Sequence, residues 1–191
     1  NEDEDMFTSR LAEELEAMIL KEGPDTIAAF FTEPIMGSGG VIVPPDTYYE
    51  KIQVVLKKYD ILLVADEVIT AFGRTGNMFG TTTMKLVPDM IVCAKGLSSA
   101  YLPISALMIN ERIFREMKEK SDEIGVFGLT FTYSGHPVSA KVAIETLKIY
   151  EEKNIVEHVR QMEPLLLNGL RELSYHPLVG EIRGKGLLAG V

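Results

Sequence analysis

Residues 61–67 have the sequence ILLVADE, and residues 90–96 have the sequence MIVCAKG. Each segment is a short apolar run that ends in charged residues. Runs of this length are typical of strands buried on both faces of a parallel sheet. A third run, residues 27–32 (IAAFFT), ends at Glu33-Pro34. These segments predict an α/β fold built on a mostly parallel sheet flanked by helices.

Helical patterns and turn residues connect these strands. Apolar residues at helical spacing predict helices over residues 8–21, 47–59, 112–120, 137–150 and 155–173. Asp46 is a suitable N-cap for the second helix, Pro137 suits the first turn of the fourth, and Pro164 predicts a kink or break in the fifth. The polar, aromatic segment 130–137 is expected to be a loop. Further strands are expected over residues 103–109 and, as a pair turning at residues 183–186, over residues 179–191.

A change in pattern after Tyr150 predicts two domains, because long helices and a short strand pair follow the alternating strands and helices. Residues 1–150 are expected to form part of a large domain, and residues 151–191 the start of a small α+β C-terminal domain. The chain begins in a helical pattern without a methionine, and it ends at Val191 within an apolar strand. Both ends are therefore expected to be cuts through a larger protein.

The composition argues against several kinds of partner. The 191 residues carry a formal net charge of −9 without a cluster of Lys and Arg, so no nucleic acid is expected. No apolar run approaches the roughly 18 residues that a membrane span requires, so no membrane is expected. The single cysteine, Cys93, favours a reducing, cytoplasmic location. The histidines His136, His158 and His176 lack the spacing of metal ligands, so no metal is expected.

Three of the predicted strands end in ionisable residues: Glu33, Asp66 and Lys95. The carboxyl ends of parallel strands meet at one edge of a sheet, where ligands bind. Two carboxylates and a lysine should therefore share one crevice. Lys95 is followed by small residues that would admit a ligand, and a lysine in a partly desolvated pocket loses its proton more readily than one in water. The neutral amine is the form that Schiff-base chemistry needs.

Other interpretations of these residues remain open at this point. Lys95 could begin an ordinary surface turn, and Asp66 could cap a strand end. The segment ending in Asp66-Glu67 also resembles a Walker B strand, where an aspartate holds magnesium in a nucleotide hydrolase. That function requires a phosphate loop, and residues 37–40 (GSGG) lack the Lys and Ser/Thr that complete one. Cys93 lies inside a strand and is expected in the core.

Residues 66–76 (DEVITAFGRTG), Pro88-Asp89 and residues 94–97 (AKGL) together resemble the signature of class III aminotransferases. Glu33-Pro34 and residues 132–137 (TYSGHP) match the same family in order and spacing. The similarity covers essentially the whole chain and is closest to the omega-aminotransferases, including pyruvate-dependent 4-aminobutyrate transaminases. It implies a fold-type I large domain that binds pyridoxal 5'-phosphate (PLP).

The resemblance also implies roles for individual residues. Lys95 resembles the lysine that carries the cofactor as a Schiff base and then shuttles the proton, and Asp66 the acid that pairs with the pyridine nitrogen. Val68 matches the apolar residue on the ring face, and Glu33 a carboxylate that supports this network. Thr132 matches the hydroxyl that binds the cofactor phosphate of the neighbouring subunit. A homodimer with shared active sites is therefore implied.

The resemblance implies a transfer of an amino group from an omega-amino acid or amine to a keto acid. Family members that use 2-oxoglutarate commonly carry a glutamate at the position of Ser38, where it pairs with an arginine. Serine carries no charge, so pyruvate or another small keto acid is the expected acceptor. The family's phosphate loop and substrate-carboxylate arginine would lie outside these residues. The chain alone is therefore expected to be inactive, and a non-catalytic fragment or dimerisation unit is the alternative function.

Overall fold

The computed structural model describes residues 2–129 and 131–191. Its main sheet consists of β1 (Ala29–Thr32), β2 (Leu62–Asp66), β3 (Met90–Cys93) and β4 (Ala106–Ile109), and a separate hairpin of β5 (Arg183–Lys185) and β6 (Leu188–Gly190) lies near the C-terminus. The helices are α1 (Glu4–Glu22), α2 (Tyr48–Lys58), α3 (Gly80–Thr83), α4 (Glu111–Ile124), α5 (Pro137–Glu152) and α6 (Ile155–Arg171). Short 3-10 turns cover Pro24–Thr26, Lys95–Leu97 and Glu172–Tyr175.

The main sheet is mostly parallel, as the apolar runs predict. Its strands lie in chain order, with β1 parallel to β2, β2 parallel to β3, and β3 antiparallel to β4. The prediction of an α/β fold is therefore confirmed. The fourth strand begins at Ala106 instead of residue 103, and Pro103 has no N–H to contribute to a strand ladder.

The hydrophobic core lies between the sheet and the pair of helices α1 and α2. Side chains at helical spacing on each helix are buried. They pack against residues within β2 and just before it, and against Leu86. The core residues are Ala12, Leu15 and Ile19 of α1, Tyr49, Ile52, Val55 and Leu56 of α2, and Ile61, Leu63 and Leu86. Burial of one such aliphatic side chain stabilises a fold by about 1.5–3 kcal/mol, so this cluster holds the sheet in place behind the site.

The ends of the first two helices differ from the sequence predictions. Helix α1 begins at Glu4, because the side chain of Asp3 accepts a hydrogen bond from the N–H of Met6 at 2.8 Å. The N-cap of α2 is Thr47, so the prediction that Asp46 caps this helix is wrong. The Thr47 hydroxyl makes no capping bond within α2 and instead lies 2.9 Å from the hydroxyl of Thr8 in α1.

The C-terminal part also departs from prediction in two places. Helix α6 continues through Pro164, so the predicted break does not occur; the buried residues Val159 and Leu167 anchor the helix on both sides of the proline. The residues predicted as a turn include strand β5, and the turn lies at Gly186-Leu187 instead. Gly186 has a φ of +61°, a left-handed conformation that a reversal can use and that glycine adopts without strain.

Candidate active site

The structure brings the three charged strand ends to one edge of the main sheet. Thr32 of β1 pairs with Ala65 of β2, so Glu33 follows at the level of Asp66. Asp66 in turn pairs with Val92 of β3, and Lys95 follows that strand. Because all three strands are parallel, their carboxyl ends present these side chains on the same side of the molecule.

The charged residues are divided between two clefts at that edge. We name these the acid cleft, of about 530 Å³, which contains Glu33 and Asp66, and the lysine cleft, of about 680 Å³, which contains Val68 and Lys95. Other residues of the acid cleft include Phe31, Met36, Ile42 and Tyr49, and those of the lysine cleft include Ile69, Phe72, Tyr150 and Leu187. The prediction that Glu33, Asp66 and Lys95 share one crevice is therefore not confirmed, because Glu33 and Asp66 line one cleft and Lys95 lines the other.

Asp66 connects the two clefts. Its Oδ1 atom accepts a hydrogen bond from the backbone N–H of Val68 at 3.0 Å, which orients the carboxylate at the end of β2. Within the described residues Oδ2 has no hydrogen-bond donor, and the side chain is only partly buried. The Oδ2 atom of Asp66 can therefore accept a hydrogen bond from a ligand, and Val68 presents an apolar surface beside it.

Lys95 lies in strained backbone. Its φ is +40°, in the left-handed region that costs a non-glycine residue on the order of 1–3 kcal/mol. Three further non-glycine residues of the lysine cleft share this conformation: Phe72 (+59°), Ser99 (+50°) and Ala100 (+66°). Lys95 is exposed and has no carboxylate partner among the residues that the structure describes. Strain concentrated around an available amine is typical of a functional site.

The turn that carries Lys95 is held from helix α5. The hydroxyl of Tyr150 donates a hydrogen bond of 2.6 Å to the carbonyl of Gly96, and its ring lies 6.2 Å from that of Phe72. Phe72 also approaches Gly96 so closely that a Cβ there would lie 2.9 Å from the Phe72 Cδ2 atom. Sequence reasoning missed Tyr150, because no pattern links two positions that are 54 residues apart.

Glu67 is fully buried, and its carboxylate binds groups of the loop that follows β2. Its carboxylate accepts hydrogen bonds from the Thr70 hydroxyl at 2.5 Å and from the backbone N–H groups of Gly80 and Thr81 at 2.9 and 2.6 Å. With its oxygens used in this way, Glu67 has a structural role between Asp66 and Val68. Within the described residues there is no cluster of three or more His, Cys, Asp and Glu side chains that could hold a metal ion.

Cys93 is buried at the end of β3 and is not poised for nucleophilic chemistry. Its burial, together with the nearby charges of Glu67 and Asp66, raises the pKa of the thiol to about 12. The thiolate, which is the reactive form, is therefore scarce at neutral pH.

Glu33 holds a turn that we name the glycine turn, residues 37–41. The Glu33 carboxylate accepts a hydrogen bond from the N–H of Gly37 at 2.9 Å, and its backbone carbonyl accepts one from the hydroxyl of Tyr49 at 2.6 Å. Burial raises the pKa of Tyr49 to about 12, so this hydroxyl keeps its proton. An antiparallel bridge between Met36 and Ile42 closes the base of the turn.

The glycine turn does not have the geometry of a phosphate loop. In a nucleotide hydrolase the loop leads directly into a helix whose N-terminus faces the phosphates. Here the chain folds back at Ile42, and α2 begins only at Tyr48. The Walker B interpretation of Asp66-Glu67 therefore gains no support from the surrounding structure.

Thr132 lies apart from the other candidate residues. It is exposed in the segment 131–136, and in the part of the chain that the structure describes it lines neither the acid cleft nor the lysine cleft. Thr130, the first residue of the predicted loop, lies outside the described residues.

No helix in the described chain has both the length and the apolar character needed to span a bilayer.

The parallel sheet, with a lysine after its third strand and an aspartate at the end of its second, defines an α/β protein with the large-domain architecture of fold-type I transferases. The chain belongs to the class-III aminotransferase family, whose model matches residues 1–191.

Named relatives agree with this assignment. The chain is 58% identical over 190 residues to the probable gamma-aminobutyrate transaminase 3, mitochondrial, of Oryza sativa subsp. japonica, covering 100% of this chain and 37% of the relative. It is 54% identical over 189 residues to the chloroplastic gamma aminobutyrate transaminase 3 of Solanum lycopersicum, covering 99% of this chain and 36% of the relative. The chain thus spans a little over a third of the length of these proteins. One of these relatives is named as mitochondrial and the other as chloroplastic. The cytoplasmic location expected for this chain stays a prediction.

Solved structures show the same fold. The omega transaminase from Pseudomonas jessenii in complex with PMP matches with a TM-score of 0.97 and 58% sequence identity, covering 99% of this chain and 42% of that one. A structure described as a transaminase with L-ala matches with a TM-score of 0.96 and 58% identity, covering 99% of this chain and 45% of that one.

Proposed function

We propose that the full-length protein is a PLP-dependent aminotransferase in which Lys95 and Asp66 carry the chemistry. The observation that carries the proposal is the strained Lys95, which has no carboxylate partner among the described residues and lies at the same sheet edge as Asp66. Membership of the class-III family supports it, since the family model matches residues 1–191 and the residues around Asp66 and Lys95 resemble the signature of that family.

The residues present fit PLP. Lys95 offers an amine, the Oδ2 atom of Asp66 is available to a ring nitrogen, and Val68 offers an apolar surface to a ring face. The volume of each cleft lies within the roughly 300–1,000 Å³ that is usual for small-molecule sites. When bound, the cofactor supplies a carbonyl carbon that exchanges amines and a ring that withdraws electrons.

Each residue then has a distinct task. The Asp66 carboxylate keeps the ring nitrogen protonated, because a nearby negative charge favours the charged form. Val68 excludes water from one face of the ring. With the cofactor bound, the Lys95 amine would move a proton from the amine-bearing carbon of the donor, acting first as general base and then as general acid. The hydroxyl of Thr132 would donate a hydrogen bond to the phosphate of the cofactor bound by the partner subunit.

The test is covalent capture of the cofactor. Borohydride reduction of the full-length protein with PLP should give a stable adduct on the peptide that contains Lys95. Lys95→Ala should give no adduct and no measurable transamination. Lys57→Ala, which removes an exposed lysine of α2, is the matched control and should behave as the parent. An adduct that forms equally in the Lys95 variant would refute the proposal.

We further propose that the donor is an omega-amino acid or amine and that the acceptor is a small keto acid, with pyruvate favoured. Relatives named as gamma-aminobutyrate transaminases support the donor class. The acceptor preference depends on Ser38, an exposed, uncharged residue of the glycine turn that cannot form an ion pair with an arginine. Full-length protein should give a higher kcat/KM with pyruvate than with 2-oxoglutarate at a fixed donor, and the reverse order would contradict the argument.

A further inference from the structure

The glycine turn is held from the far end of the chain by Arg183. The Nε atom of this β5 residue donates a hydrogen bond of 2.7 Å to the carbonyl of Gly40, which lies 143 positions earlier in the sequence. The Nη1 atom of the same guanidinium also forms an ion pair of 2.8 Å with Glu181, whose side chain is exposed. A charged donor makes this bond stronger than one between neutral groups.

Glycines allow the hairpin to approach the turn. A Cβ at Gly190 of β6 would lie 2.9 Å from the carbonyl oxygen of Gly40. A Cβ at Gly40 would lie 3.0 Å from the Arg183 Nη2 atom, and Gly40 has a φ of +117° that side chains rarely allow. The hairpin and the turn therefore form one packed contact, of which the Arg183 hydrogen bond is the polar part.

The turn borders both clefts of the candidate site. Met36 and Ile42, which bridge its base, line the acid cleft. At the other side a Cβ on Gly37 would lie 2.7 Å from the Cδ1 atom of Ile69, a residue of the lysine cleft. The N–H of Gly37 also holds the Glu33 carboxylate at 2.9 Å. A displacement of the turn would therefore move a wall that the two clefts share.

We propose that Arg183 is a positioning residue for substrate binding, which holds the glycine turn as the wall between the acid and lysine clefts. The inference rests on the proposed aminotransferase function. Arg183 lines neither cleft in the described chain, so it acts through the turn. Its loss should weaken the binding of donor and acceptor, while the groups that move protons stay in place.

The test compares the variants Arg183→Ala, Arg183→Lys and Glu181→Gln in the full-length protein. Arg183→Ala should raise KM for the amine and for the keto acid about tenfold, equivalent to ~1.4 kcal/mol, with kcat within about twofold. Arg183→Lys keeps a charged donor and should recover part of the loss. Glu181→Gln removes the ion pair but leaves the bond to Gly40, so it should resemble the parent.

Hydrogen exchange provides a readout that does not depend on catalysis. The N–H groups of Gly40 and Val41 bond to the carbonyl of Gly37, at 3.2 and 3.0 Å. Their exchange should become faster in Arg183→Ala and stay unchanged in Glu181→Gln. If Arg183→Ala fails to fold, the same comparison is made with Arg183→Lys, which should show an intermediate effect.

Two results would overturn the inference. Unchanged exchange at the glycine turn would show that Arg183 does not hold it, and a fall in kcat at unchanged KM would show that it does not act on substrate binding. A protein without a borohydride-stable adduct at Lys95 would instead refute the proposed function, and the exchange measurement would still decide whether Arg183 holds the turn.

Discussion

Lys95 has an available amine and a strained backbone conformation. Neighbouring residues stabilise that conformation. The Tyr150 hydroxyl holds the next carbonyl, and the Phe72 ring leaves no room for a Cβ at Gly96. Strain of this kind persists only where the surrounding structure determines it. The direction in which the Lys95 Cα–Cβ bond leaves the backbone is therefore set by the turn.

The substitution Asp66→Asn removes the charge of this side chain and keeps its shape, so it tests the role of the charge alone. Asp66→Asn in the full-length protein should still bind PLP, because an amide oxygen can accept the bond from the Val68 N–H. It should slow proton abstraction by about a hundredfold or more, since the amide cannot keep the ring nitrogen protonated. Single-turnover rates with the amine donor, at matched cofactor content, measure the effect. A near-normal rate would argue against the pairing.

At this scale the sequence predicts residues at strand ends better than residues that support them. The apolar runs before Glu33, Asp66 and Lys95 make their shared edge predictable without any coordinates. The contacts of Glu67 and Tyr150 are different, because they join positions with no common pattern. Only the packed fold shows that one carboxylate of the Asp66-Glu67 pair is buried and the other is available.

Helix α5 contacts the turn that carries Lys95 through the hydroxyl of Tyr150. Tyr150→Phe removes the bond to the Gly96 carbonyl and keeps the ring. We expect a loss of about 1 kcal/mol in the free energy of unfolding, the usual contribution of one hydrogen bond. Tyr175→Phe, at a residue that is 94% exposed, is the control and should change nothing. Equal stability of both variants in urea titrations would contradict this prediction.

Elements were predictable where their pattern is local and not where distant contacts set their ends. The central strands and the long helices follow apolar periodicity, and Pro137 begins α5 as predicted. The start of α2 was predicted to within one residue, but its N-cap was not, and the Thr47 hydroxyl lies against Thr8 of another helix. We still propose a domain boundary at residue 150, which lies two residues before the end of α5 at Glu152.

Over the whole molecule, the segment from α4 to α5 exposes an unusual number of large apolar side chains. They are Ile124, Val126, Phe127, Leu129, Phe131, Tyr133 and Val138, with Phe131 and Tyr133 at 70% and 83% exposure. Contiguous exposed apolar surface is typical of interfaces between proteins. These residues flank Thr132 in the sequence, and their exposure supports the proposed homodimer in which each subunit completes the site of its partner.

Hybrid dimers test that proposal. A full-length dimer of one Lys95→Ala subunit and one Thr132→Ala subunit would contain one complete site if Thr132 serves the partner. We expect about half the activity of the parent dimer, against none for the Lys95→Ala homodimer. Differently tagged subunits allow the hybrid to be purified and assayed. If Thr132 served its own subunit, the hybrid would have only half the activity of the Thr132→Ala homodimer.

The bond between Arg183 and Gly40 also has a consequence for biosynthesis, because it joins positions 143 residues apart. Ribosomes add roughly 5–20 residues per second, so Arg183 is made about 7–30 seconds after Gly40. During that interval the glycine turn lacks its contact with Arg183. If Arg183 holds the turn as proposed, the wall between the two clefts is fixed only once translation has passed the C-terminal hairpin.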